Sequence, residues 1–189
     1  FTNCHNLTGS IPSGLFGNLS GAPADYMFRR TFDGCTGLTG EIPPDLFGDI
    51  VGKPANGMFR NTFASCSGLT GEIPPKLFGN ISGAPTMDMF YATFSGCSGL
   101  TGTIPENLFG NISGAPAQGM FFGTLNTCSG LTGEIPPNLF GSISGQPQYA
   151  MFSHTFANCP GLTGSIPSGL FGTFTGAPAE SMFYGTFLN

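Results

Sequence analysis

Six cysteines stand at positions 4, 35, 66, 97, 128 and 159, each 31 residues from the last. The 189-residue chain is therefore one unit written six times, with three residues left over. Self-similarity at a fixed period marks a stacked repeat architecture, and it excludes a single compact domain of ordinary topology. Counted from Cys as position 0, the unit reads C-x-x-L-T-G-x-I-P-x-x-L-F-G-x-I-x-G-x-P-x-x-x-M-F-x-x-T-F-x-x. The third copy carries it as Cys66, Leu69, Thr70, Gly71, Ile73, Pro74, Leu77, Phe78, Gly79, Ile81, Gly83, Pro85, Met89, Phe90, Thr93 and Phe94. Departures are few: Leu125 replaces Phe in one column, and Leu19 and Phe174 replace Ile in another.

The stretch L-T-G-x-I-P alternates: Leu, Gly and Ile inward, Thr, the variable residue and Pro outward. Period two predicts a half-buried strand that Pro brings to an end. After Pro at +8, apolar residues at +11, +12 and +15 predict a short helix or 3₁₀ turn ended by glycine. After Pro at +19, Phe at +24 and +28 and the next Cys fall at i, i+4 and i+7, which predicts a second short helix with one apolar stripe. One such unit cannot bury its own apolar columns. Stacked copies can, turning each column into a ladder through the core. The expected fold is an α/β repeat solenoid over residues 1–189, of six 31-residue coils, each with one short parallel strand and two short helical turns. Strands would line one face and helical turns the other.

Composition removes several function classes. Charged residues are only 8% and the net charge is −5, so no basic surface neutralises phosphates and a nucleic-acid partner is not expected. Gly (31) and Pro (16) hold fixed columns and Phe (20) is abundant, which fits an ordered chain with a core. No apolar run approaches the roughly 20 residues of a membrane-spanning helix.

The units resemble leucine-rich repeats. F-x-x-C-x-x-L followed by a strand ending in I-P is similar to the bacterial BspA-like (Treponema-type) surface class. Leu38-Thr39-Gly40-Glu41-Ile42-Pro43-Pro44-Asp45-Leu46-Phe47 resembles the L-x-G-x-I-P-x-x-L stretch of the plant class. The likeness runs through every copy, although a period of 31 exceeds that of both classes and M-F-x-x-T-F belongs to neither. The resemblance implies a secreted or surface-displayed, non-catalytic protein that binds proteins or glycans.

The residues themselves offer little chemistry. The cysteines Cys4, Cys35, Cys66, Cys97, Cys128 and Cys159 share one column among apolar neighbours, which favours buried free thiols over three alternating disulfides. Zinc-type spacing and calcium loops are both missing, so no metal or cofactor is expected. His5 and His154 lie in different columns five coils apart, and no copy unites a nucleophile, a base and an orienting group, so no enzyme is expected.

Binding is expected on the outward strand columns: Thr8, Thr39, Thr70, Thr101, Thr132 and Thr163 in one, and Ser10, Glu41, Glu72, Thr103, Glu134 and Ser165 in the other. A plain solvated strand face explains them equally well. The second Thr column (Thr31, Thr62, Thr93, Thr124, Thr155, Thr186) is placed on the helical part. Asn-x-Ser/Thr sequons begin at Asn6, Asn18, Asn80 and Asn111, the last three in one column expected at the surface. Both ends stop at the same phase without a polar cap, so the expected partners end to end are flanking repeats of a longer array or further copies in an open stack. The functional expectation is an extracellular or cell-surface scaffold for adhesion through the strand face. A self-assembling filament is the alternative, and ice binding through the Thr array is third. Variable residues such as Arg29, Arg30 and Tyr149 form no evident cluster in the sequence.

Overall fold

The computed structural model of the chain describes every residue except Asn18. It is a parallel β-solenoid. Among the described residues there are eight strands: β1 (Ser20–Gly21), β2 (Asp49–Gly52), β3 (Asn80–Gly83), β4 (Asn111–Gly114), β5 (Gly133–Glu134), β6 (Ser142–Gly145), β7 (Leu162–Thr163) and β8 (Thr173–Phe174). The main sheet has the order β1-β2-β3-β4-β6-β8, one strand per copy, all parallel. Six stacked strands are joined by five circuits, so the chain makes about five turns rather than six closed coils.

This sheet occupies +14 to +17, where the sequence predicts the first helical turn. The expected helix is absent because Gly at +13 sits at positive φ in all six copies (68–90° from Gly17 to Gly172), a conformation that leaves the helical path. A Cβ on Gly110 would also strike the Ile81 carbonyl of the preceding coil. The predicted strand L-T-G-x-I-P pairs only briefly, through β5·β7 and the bridges Gly9↔Leu38, Gly40↔Leu69 and Gly71↔Leu100. Its alternation fails at proline: Pro43, Pro74 and Pro136 are buried.

Both ladders use one device. Partners are 29 residues apart in sequence, as in Gly52↔Ile81 and Gly40↔Leu69, although the unit is 31 residues long. A two-residue stagger keeps every side chain on its own face, since strand alternation has period two. It also sets each inward Ile or Leu beside an inward glycine of the coil before.

The second predicted helix is absent too. From +20 onward the backbone is a chain of four-residue turns. Every fourth residue, at +22, +26 and +30, has positive φ; in the third copy these are Asp88 (55°), Ala92 (50°) and Gly96 (78°). Amides alternate in direction. Met58, Arg60, Thr62, Ala64 and Cys66 bond three residues back, whereas Gly57, Phe59, Asn61, Phe63 and Ser65 bond to carbonyls of the next coil. A spacing of four looks like i, i+4 on a helix, but here it is the period of the turn.

Three phenylalanine ladders fill the interior. The +24 ladder runs Phe28–Phe59–Phe90–Phe121–Phe152–Phe183 with near-parallel rings 5.5–5.9 Å apart. The +12 ladder, from Phe16 to Phe171, interleaves with it in tilted contacts such as Phe59–Phe78 at 4.5 Å. The +28 ladder is interrupted by Leu125. Offset and tilted ring pairs stabilise beyond simple area burial, by about 0.5–1.5 kcal/mol each.

Candidate functional site

The outward columns of the L-T-G-x-I-P stretch stand at the surface, although of the twelve residues only Glu134 and Thr163 belong to a strand. Thr8, Ser10, Thr39, Glu41, Thr70, Glu72, Thr101, Thr103, Thr132, Glu134, Thr163 and Ser165 are all exposed. They form a near-uniform polar surface with few contacts, such as the 3.4 Å bond from Thr132 Oγ1 to the Gly102 carbonyl. The main sheet adds a second outward pair of columns, including Asn80, Ser82, Asn111 and Ser113; the sequence put the Asn column at the surface but on a helical turn, not a strand. Two of the three sequons of this column lie there, exposed; Asn18 lies outside the described residues.

Beyond the half-buried Thr31, the second Thr column is buried. Thr62, Thr93, Thr124 and Thr155 are fully buried, and each hydroxyl donates to a Phe carbonyl 34 residues earlier, as Thr93 does to Phe59 at 2.9 Å. The cysteines repeat this bond four residues later: the Cys97 thiol donates to the Phe63 carbonyl at 3.0 Å. Met at +23 occupies the equivalent place one turn earlier, where the Met58 sulfur accepts the Ala55 amide. Thus Met, Thr and Cys hold the same position in three successive turns, and the thiol column is a hydrogen-bonding column. All six cysteines are free, and only Cys4 is exposed. Burial pushes the Cys66 thiol up to about 12 and those of Cys97 and Cys128 well above the ordinary range. His5 and His154 stay in different copies, and no group of three or more potential metal ligands forms among the described residues.

The variable residues, by contrast, do come together. The turn face between +21 and +26 holds all four tyrosines of the chain (Tyr26, Tyr91, Tyr149, Tyr184) and all three arginines (Arg29, Arg30, Arg60). The Arg60 guanidinium lies 4.4 Å from the Tyr91 ring centre and pairs with Asp88. Tyr91 stacks on Phe122 at 4.5 Å, Phe122 meets His154 at 5.8 Å, and His154 meets Tyr184 at 5.0 Å. Arg29 lies over Tyr26 at 5.4 Å. The left-handed positions at +22 make room for this band: Tyr26 fills the space over Gly57, and Asp88 that over Gly119. Tyr26, Tyr149 and Tyr184 remain 47%, 49% and 66% exposed. Burial raises the pKa of the Asp88 carboxyl and the Tyr91 hydroxyl, against the opposing pull of Arg60.

The one sequence signal for this stripe was the column arithmetic itself. Arg29, Arg60, Tyr91, Phe122 and Tyr184 all fall at +25, which becomes visible once that column is read down the repeats. Read one copy at a time, the segment shows no cluster, because most copies contribute only one or two of these residues. Comparison with protein-family models, curated proteins and solved structures finds no match.

Proposed function

We propose that the chain is a non-catalytic binding scaffold, displayed outside the cell or at its surface, whose recognition site is the Tyr/Arg stripe of the turn face. One observation carries this reading: the core columns hardly vary from copy to copy, while the large variable side chains gather on one surface. A purely structural repeat has no need of such a cluster. Tyr and Arg are the residue types that dominate binding energy at protein interfaces. Their mutual stacking fixes rotamers before any partner arrives, which lowers the ordering cost of binding. The strand face is the weaker candidate, because its Thr column is uniform and Thr suits any solvated strand.

The test is a binding screen of the purified chain against a glycan array and a panel of extracellular proteins. Each hit is repeated with Tyr91→Ala/Tyr184→Ala and with Thr70→Ala/Thr101→Ala. Loss of binding only in the tyrosine variant supports the stripe. Loss only in the threonine variant moves the site to the strand face. Hits indifferent to both overturn the proposal.

A further inference from the structure

Resting on the stripe as the recognition surface, we infer that its partner is a second copy of this chain, packed antiparallel, stripe against stripe. Several alternatives are disfavoured by geometry. Arg60, Tyr91 and Phe122 cover one another's faces at 4.4 and 4.5 Å, so those rings offer edges rather than the open faces on which a sugar stacks. The alternate amides of the inner turns are bonded to the next coil, so free ones such as Phe183 and Gly185 lie at the end of the last copy and offer no strand edge along the stripe. An end-on copy would have to place the Cβ of its Asn6 in the +2 column. There the later copies have Gly37, Gly68, Gly99, Gly130 and Gly161, because a Cβ would strike carbonyls of the coil before. Side-on association meets no such obstacle.

The stripe has a polarity that makes it self-complementary. Its arginines belong to the first two copies. Tyr149, His154, Glu180 and Tyr184 belong to the last two. The centre is the uncharged pair Tyr91–Phe122. A two-fold axis across the stripe sets the first copy opposite the sixth, the second opposite the fifth and the third opposite the fourth, each column facing itself. Arg29 then meets Glu180 and Tyr184 of its mate, Arg60 meets His154 and Tyr149, and Tyr91 meets Phe122. Arg29 has no carboxylate within ion-pair distance among the described residues, so its guanidinium is available to Glu180. A cation over a tyrosine face is drawn to the negative ring face, the more strongly the drier the contact. Asp25 would face Glu180, an unfavourable pair offset by the adjacent Arg29 and Arg30. Parallel pairing fares worse, because it sets each arginine against its own copy.

Sedimentation of the full chain tests the inference. The expected result is a concentration-dependent species of twice the 19.5 kDa chain mass. Arg29→Glu should raise its dissociation constant about tenfold or more, tenfold being about 1.4 kcal/mol. Adding Glu180→Arg to that variant should restore pairing, because the swap exchanges the two charges across the axis. Circular dichroism of each variant checks that the solenoid is intact. A chain that stays monomeric at every concentration overturns self-pairing and leaves the stripe to be judged by the binding screen. A dimer indifferent to Arg29→Glu and to Tyr184→Ala overturns stripe-to-stripe pairing and leaves the stripe to be judged by the binding screen. A dimer weakened by Arg29→Glu and not restored by the swap overturns the antiparallel arrangement.

Discussion

At the scale of the residue, two kinds of glycine carry the fold for different reasons. Gly99, at +2, has an ordinary φ, but a Cβ there would strike the Leu69 carbonyl and lie 2.7 Å from the Ser67 oxygen. Gly169 has φ +76° and open space around it. Gly99→Ala should therefore cost roughly 3 kcal/mol, since rigid backbone must move. Gly169→Ala should cost about 1 kcal/mol, the strain of a left-handed alanine alone. Urea unfolding of the two variants checks the order. The thiols supply a second contrast. A disulfide reagent should label Cys4 in the native chain and all six cysteines after unfolding; rapid native labelling of Cys97 would contradict the buried column. Stability should also fall in alkali. Above pH 9.0 the unfolded thiols lose protons while the folded Cys66 thiol holds its proton to about 12. The unfolded state then binds fewer protons, so the unfolding free energy drops as pH rises through that window. Unfolding midpoints at neutral pH and above pH 9.0 measure the loss.

At the scale of the element, the repeat, the stacking and the buried ladders were legible because they follow from column identity alone. The secondary structure was not. Leu77, Phe78 and Ile81 have spacings that a helix and a tight turn followed by a strand share, and only the positive φ of Gly79 separates them. Phe90, Phe94 and Cys97 fit a helical stripe equally well. Their spacing of about four comes instead from left-handed residues at Asp88 and Ala92, neither of which is a glycine that would announce itself. That misreading also hid the turns that carry the stripe, although Tyr91 and Phe122 share the +25 column whatever the local structure. The outward Thr and Ser/Glu columns were legible because alternation holds from Leu to Ile in the inner copies and fails only at the proline that follows. Leu125 offers a test of ladder equivalence. Filling a packed core commonly costs about 1–3 kcal/mol. Every other described copy holds a phenyl ring in that column, so Leu125→Phe should change the unfolding free energy measured in urea by less than about 1 kcal/mol.

At the scale of the molecule, folding and recognition occupy separate columns that run side by side. Phe90 and Tyr91 are neighbours in sequence and belong one to each. Phe90 is fully buried, with parallel rings above and below it in the ladder. Tyr91 is half-buried on the turn face between Arg60 and Phe122. The account requires the first to hold the solenoid together and the second to be nearly dispensable for folding. Paired urea unfolding of Phe90→Ala and Tyr91→Ala measures this directly, without knowledge of any ligand. Phe90→Ala should lose about 3–5 kcal/mol. Tyr91→Ala should lose about 1–2 kcal/mol, the value of its exposed-side stacking and cation contacts. Equal losses would make the stripe part of the framework and contradict its assignment as a recognition surface.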